Sequence, residues 1–431
     1  MTTTLKRELG VFGAVMMGLG SIVGTGVFVS IGIAAGVVGP AVILATLIAA
    51  ATATFNGLSS AQLAANHAVS GGTYEYGYRY LKPQLGFIAG WLFLVAKSAS
   101  AATAALGFSS YLLNLLGISS NILIVILALI AIAGIGFVLV NGIRRSNQVN
   151  VAIVSITLVS LVFFILIGFP NLWQGGNRLQ PFFQTGGIPA WRALLQASAL
   201  MFVAYTGYGR IATLGEEVRE PRHTIPRAII TTLIVVMTLY SVVALVAVST
   251  LGATDLAQVS GQAPLERAAA QFNVPFAPLL VAIGAMTAML GVLLNLLLGL
   301  SRVLLAMGRR GDMPTGLAKL SDDQTSPTRA IITMTVFVAL LALIGNVTVT
   351  WSFSAFTVLV YYAITNLAAL QLRSGERFFP AWVSVAGLVC CLGLAAFVQP
   401  WVWVTGLGVI VMGFIWQAIF QRVYTSRGET G

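Results

Sequence analysis

Charge is what this sequence has least of. Only 8% of its 431 residues are Asp, Glu, Lys or Arg, whereas a soluble domain carries about a quarter so that it can present a solvated surface. An ordinary water-soluble enzyme is therefore excluded. The chain has two cysteines, Cys390 and Cys391, adjacent inside an apolar run, which excludes a disulfide framework and a zinc knuckle. Its two histidines, His67 and His223, are far apart. With no nucleophile-base spacing, zinc motif or phosphate-binding loop in view, neither an enzyme site nor an ATP-driven motor is expected, and no cofactor. Runs of Ser, Gln or Glu are missing too, so the chain is not a disordered polymer. What remains is 58% hydrophobic residues with a mean hydropathy of +0.93, and 45 Gly and 14 Pro scattered through apolar stretches. A bilayer tolerates such residues where neighbouring helices satisfy the freed backbone.

A membrane helix needs about 20 mostly apolar residues, and twelve such runs are expected: 9–35, 40–65, 85–116, 121–140, 149–169, 191–209, 228–251, 275–307, 330–344, 352–372, 381–398 and 402–420. The first has no small-residue cleavage site behind it and reads as a retained span rather than a signal peptide. With both termini cytoplasmic, 19 of the 23 Lys and Arg fall on the inner side, 3 on the outer side and Lys97 within a span. This is the asymmetry that orients membrane proteins in a cell membrane. The net charge of +11 is thus spread over short loops beside anionic headgroups, and the expected partner is the lipid bilayer rather than a nucleic acid.

Two spans carry signals of interruption. Span one reads Gly18-Leu19-Gly20-Ser21-Ile22-Val23-Gly24-Thr25-Gly26, four glycines in nine residues at mid-span, each costing about 1 kcal/mol of helix propensity. Close packing on Gly20 and Gly24 is the other explanation of such glycines. Span six holds Tyr205-Thr206-Gly207-Tyr208-Gly209. The two are matching members of two five-helix halves, and paired interruptions at matching places point to a secondary-transporter binding site. Bare helix ends there offer N–H groups to a carboxylate and carbonyls to an ammonium without any buried ionised side chain.

These stretches, with Ser70-Gly71-Gly72-Thr73-Tyr74, Glu216-Glu217-Val218-Arg219-Glu220-Pro221 and Ala306-Met307-Gly308-Arg309-Arg310-Gly311-Asp312, resemble in content and order the signature motifs of the amino acid–polyamine–organocation (APC) transporters. The resemblance implies an all-α membrane protein of twelve helices on the LeuT-like plan. That plan is a five-plus-five inverted repeat with discontinuous helices one and six, followed by two extra helices. The transporter core would be 1–372, with repeats at about 9–169 and 191–372, and 373–431 the two added helices and a short tail. Carried over by position, the N–H groups of Gly24, Thr25 and Gly26 and the Thr25 hydroxyl would hold a substrate carboxylate. Carbonyls of Ile22, Val203, Ala204 and Thr206 would hold its α-ammonium. Phe202 and Tyr205 would be aromatic neighbours, with helix packing as their alternative role. The sequence departs from the family at three places: Gly209 replaces a frequent acid, Ala96 stands near a helix-three carboxylate of cation carriers, and Ser155 stands near a helix-five lysine of some proton-coupled members. Cationic substrates are disfavoured accordingly.

Lys97 is the single charge deep in a span, with no acid in any span to pair with. A mid-span ionisable group is costly and marks function by default. It would serve either as an alternating ammonium that couples transport to protons or as a partner for a substrate carboxylate. The expected function is secondary active transport of a small, neutral amino acid or related zwitterion by alternating access, proton-coupled or by exchange. The rival is an amino-acid sensor on the same fold that binds without transporting.

Overall fold

The computed structural model describes residues 9–69, 71–141, 146–174, 176–213, 218–258, 263–321 and 326–428. Ser70, Arg144, Arg145, Glu216 and Glu217, together with Lys6 and Arg7, lie outside them. The helices in chain order are α1 (Val11–Ile22), α2 (Thr25–Phe28), α3 (Ser30–Val38), α4 (Val42–Asn66), α5 (Thr73–Tyr80), α6 (Pro83–Leu115), α7 (Asn121–Val140), α8 (Ser146–Gly168), α9 (Asn171–Gln174), α10 (Ala190–Tyr205), α11 (Gly209–Ala212), α12 (Pro221–Leu251), α13 (Ala253–Gln258), α14 (Pro264–Ala269), α15 (Ala277–Arg310), α16 (Thr328–Ala342), α17 (Val347–Leu370), α18 (Ala381–Ala396) and α19 (Pro400–Gly428). No strand occurs among the described residues. One parallel bridge joins Leu9 to Val218.

Among the described residues, eight helical stretches are long and apolar enough to cross a membrane: Thr25–Asn66, Pro83–Leu115, Asn121–Val140, Asn150–Gly168, Pro221–Leu251, Ala277–Arg310, Val347–Leu370 and Pro400–Phe420. Three shorter apolar helices, α1, α16 and α18, account for other expected spans. The expected sixth span is helical over only 16 residues, Ala190–Tyr205.

α6 is the central post, almost wholly buried, while α7 and α19 turn most of their side chains outward. Composition explains the difference. From Ser98 to Ala105 every residue of α6 is Ser, Ala or Thr, and small side chains let neighbouring helices approach on several sides. α15 and α17 both pack there. The α17 seam is stitched by Thr103 Oγ1 donating to Thr350 Oγ1 at 2.8 Å and Ser354 Oγ donating to the Ala96 carbonyl at 3.0 Å. α7 instead exposes Ile122, Ile126, Ile130 and Phe137, large apolar groups that belong against lipid tails.

The short helix α5 docks on the end of α15 through polar side chains. Asp312 accepts the hydroxyls of Tyr74 at 2.7 Å and Tyr78 at 2.6 Å, and Arg310 pairs with Glu75 at 2.5 Å. Beside it, His67 stands 2.7 Å from Arg79. Burial first, then the charges of Arg79 and Arg310, push its pKa down from 6.5 to about 4.

Candidate functional site

The interruption in span one is real backbone geometry. α1 stops at Ile22, Val23 and Gly24 run extended (φ −78° and −175°), and α2 starts at Thr25. A second irregularity follows at Val29, between α2 and α3. A buried helix end needs partners for its carbonyls, and here they come from side chains of two other helices, with a third bonded further back along α1. Tyr240 of α12 donates to the Ile22 carbonyl at 2.8 Å, and Asn295 of α15 to that of Gly20 at 3.3 Å. Asn150 of α8 donates to Met16 at 2.9 Å and also accepts from Asn295 at 3.0 Å.

Span six is interrupted differently. The chain tightens into a 3₁₀ turn at Thr206–Tyr208 between α10 and α11, so there is no open gap of the kind found in span one. The Val203 carbonyl takes the N–H of Thr206 and its hydroxyl, the latter at 2.8 Å. The Thr206 carbonyl takes the Tyr362 hydroxyl at 2.9 Å and the Lys97 ammonium at 3.3 Å. Three of the four carbonyls expected to hold a substrate ammonium, those of Ile22, Val203 and Thr206, therefore already have protein donors.

The two interrupted helices touch through glycine. A Cβ on Gly207 would lie 2.3 Å from the Ser21 carbonyl oxygen, and one on Gly26 would lie 2.7 Å from Cβ of Ala204. Each break thus carries the glycine that admits the other. Beside the contact lies a cavity of about 30 Å³ lined by Ile22, Thr25, Gly26, Val203, Ala204, Thr206 and Lys97, with Ser21, Ser100, Gly207, Val292, Leu296 and Trp351. The Thr25 hydroxyl is buried there without a hydrogen-bond partner. A second cavity of about 20 Å³ adjoins it, toward Arg210, Thr213 and Gly299, and shares Ser21, Lys97, Thr206, Gly207 and Leu296 with the first. Each has room for about one water; an amino acid needs the walls to part.

Lys97 stands between the two cavities. It is 4% exposed, and its Nζ donates to Thr206 Oγ1 at 2.7 Å as well as to the Thr206 carbonyl. No carboxylate among the described residues pairs with it.

Seven expected residues therefore converge, and three do not. Gly24 faces α15, where a Cβ would meet Val292 at 2.5 Å. The Phe202 ring packs edge-on against Tyr362, and Tyr205 packs against Tyr240 with its hydroxyl on the Thr46 carbonyl at 3.4 Å. Ser155 is exposed on the outer face of α8, and the α8 side chain that hydrogen-bonds the broken helix is Asn150. Sequence reasoning missed Val292, Leu296 and Trp351. As apolar residues in apolar spans they give no signal of which face they occupy. Among the described residues no group of three or more His, Cys, Asp or Glu side chains could hold a metal ion.

The chain matches the amino acid permease family over residues 13–428. It is 37% identical to an uncharacterized transporter of Mycobacterium tuberculosis, over 99% of this chain and 93% of that one. It is 26% identical to the branched-chain amino acid permease of Bacillus subtilis, over 98% and 93%. It is also 26% identical to the chloroplastic cationic amino acid transporter 7 of Arabidopsis thaliana, over 93% and 71%. A family match spanning nearly the whole chain, a fold of apolar helices and a relative of this likeness agree: the chain belongs to the amino acid permease family of the APC superfamily, as a multi-pass membrane transporter and not an enzyme.

Proposed function

We propose that the protein carries a small neutral amino acid across a cell membrane by alternating access, with Lys97 coupling the cycle to protons. On this reading twelve spans form a core of 1–372 with two inverted repeats, α18 and α19 are added outside it, and both termini are cytoplasmic. The observation that carries the proposal is Lys97, an ammonium held, among the described residues, by the neutral oxygens of Thr206 alone, at the junction of two cavities.

That position makes chemical sense of the site. Thr25 brings a partnerless hydroxyl, and the N–H groups of Thr25 and Gly26 at the start of α2 have no intrahelical acceptor, so a carboxylate finds donors there. The substrate ammonium must share the acceptors that Lys97 and Tyr362 now occupy. Lys97 is then a tethered stand-in for that ammonium. Its hold on Thr206 depends on the 3₁₀ turn, so a movement of α11 that opens the cytoplasmic side removes both acceptors at once and releases a proton with the substrate. The relatives include carriers of branched-chain and of cationic amino acids, and a cationic substrate would meet Lys97 itself.

The test is uptake into liposomes with and without an inward proton gradient. One proton moving down one pH unit releases about 1.4 kcal/mol, enough for about tenfold accumulation. The wild type is expected to accumulate substrate, and Lys97→Ala to bind it without accumulating it. Full proton-driven uptake by Lys97→Ala refutes the coupling role, and loss of binding makes Lys97 a substrate anchor. Saturable binding by a wild type that shows no flux makes the protein a sensor.

A further inference from the structure

We infer that Trp351 and Ser100 select the substrate side chain and restrict it to that of glycine, alanine or serine. The inference rests on the reading of the cavity as an amino-acid site and goes on to its specificity. Beyond the polar groups of α1, α2 and α10, the remaining wall comes from other helices: Val292 and Leu296 of α15, Trp351 of α17 and Ser100 of α6. Val292 and Leu296 are four residues apart and present branched carbons on one face.

Trp351 is a fixed wall rather than a swinging one. It is 3% exposed, and its indole N–H donates to the Leu200 carbonyl of α10 at 3.0 Å. That bond ties the ring to the half of helix six lying just before the break. To turn aside for a larger ligand, the buried indole must give up that bond and strand its N–H. A side chain placed among Trp351, Val292 and Leu296 therefore meets one wall that is tied in place, and a cavity of about 30 Å³, near the size of one water, accommodates a methyl or hydroxymethyl group with far less displacement than an isobutyl or benzyl group.

Ser100 sets the polarity of the same compartment. Its hydroxyl lies 2.9 Å from Ser354 Oγ. Ser354 spends its own hydrogen on the Ala96 carbonyl, so Ser100 is the donor of that pair, and its oxygen keeps acceptor lone pairs beside the cavity. An acceptor there favours a ligand hydroxyl, which a serine side chain has and an alanine side chain lacks.

The experiment is uptake of radiolabelled alanine by the purified full-length chain in liposomes, competed by glycine, serine, leucine and phenylalanine, with melting temperatures confirming folding. In the wild type, leucine and phenylalanine should compete at least about 100-fold more weakly than alanine, because a hydrophobic pocket discriminates about 10- to 200-fold per methylene. Trp351→Ala should narrow the alanine-to-leucine ratio at least tenfold. Trp351→Phe, which keeps a ring but loses the anchoring N–H, should narrow it less. Ser100→Ala should lower competition by serine relative to alanine. Leucine competing as well as alanine in the wild type overturns the inference, as does an unchanged ratio in Trp351→Ala. If that variant does not fold, an unchanged ratio in Trp351→Phe together with unchanged serine preference in Ser100→Ala overturns it. A wild type that neither binds nor carries any amino acid overturns the underlying reading instead.

Discussion

The contact between the two breaks makes Gly207 the position where one methyl group should do most harm. Its Cβ would stand 2.3 Å from the oxygen and 2.5 Å from the carbon of the Ser21 carbonyl, whereas a close C···O approach is about 3.3 Å. Relief requires about 1 Å of separation. Both parties are backbone, so no rotamer change supplies it, and the end of α1 must move against the 3₁₀ turn. Overpacking of this kind costs about 1–3 kcal/mol, and the upper half of that range applies where the obstacle cannot rotate. The functional loss should be larger than the stability loss. Thr206, next in sequence, holds Lys97, and misplacing interacting groups by about 1 Å costs about 100-fold where geometry is critical.

Gly207→Ala should therefore lower the melting temperature of the purified protein and cut liposome uptake by about 100-fold. Gly134→Ala is the control. It lies within α7, and its Cβ would meet nothing within 4 Å, so it should gain up to about 1 kcal/mol of helix propensity and leave uptake unchanged. A Gly207→Ala protein with wild-type melting and uptake within twofold of wild type would refute the argument that the breaks are locked together by this contact.

Two further outcomes follow from the polar cluster between α5 and the end of α15. His67 has its folded pKa lowered from 6.5 to about 4, so between those values the unfolded chain binds more protons than the folded one. Stability is then present above about pH 6.5 and is lost as pH falls toward 4. Melting curves across this window should fall less steeply for His67→Gln, and an identical pH slope would show that His67 does not contribute. Asp312→Ala leaves the hydroxyls of Tyr74 and Tyr78 without their acceptor, at about 1–3 kcal/mol for a buried group. Arg310→Ala breaks an ion pair whose Arg side chain is 39% exposed, worth about 1 kcal/mol at most. Melting should rank Asp312→Ala below Arg310→Ala, and the reverse order counts against Asp312 as the anchor of α5.

Much of the architecture was legible because apolar length is a physical requirement of the bilayer and needs no alignment. The helices α4, α6 and α7 fall where long apolar runs predict them, and α12 ends where expected but starts seven residues earlier, at Pro221. The break of span one was legible from glycine content for the same kind of reason: four poor helix formers in nine residues weaken the helix locally. The break of span six was only half legible. Glycine marks where the helix fails and does not say whether it opens, as at Val23 and Gly24, or tightens into a 3₁₀ turn, as at Thr206–Tyr208. α5 was not anticipated at all, since a helix of 8 residues with tyrosines, Glu75 and Arg79 has no apolar signal of its own and is held by Asp312 and Arg310, more than 230 positions away.

The chemistry of the site divides along the same line. Lys97 announces itself because a lone charge in an apolar span breaks the local pattern, whereas its acceptor Thr206, 109 residues on, is one of many threonines. The helix-five position shows how small the margin is. Ser155 is five residues from Asn150, and at 3.6 residues per turn that rotates a side chain by about 140°, from contact with α1 to the outer face. A position inferred from spacing alone can thus name the right helix and the wrong side of it. Backbone groups of a break escape this error, because a carbonyl or N–H at Ile22, Thr25 or Gly26 is in place whatever the rotation of its neighbours. Six of the nine residues expected at the breaks accordingly line the cavity; of the other three, both aromatics were placed by side chain and pack on Tyr362 and Tyr240, and Gly24 is the one backbone placement that misses, facing Val292 of α15.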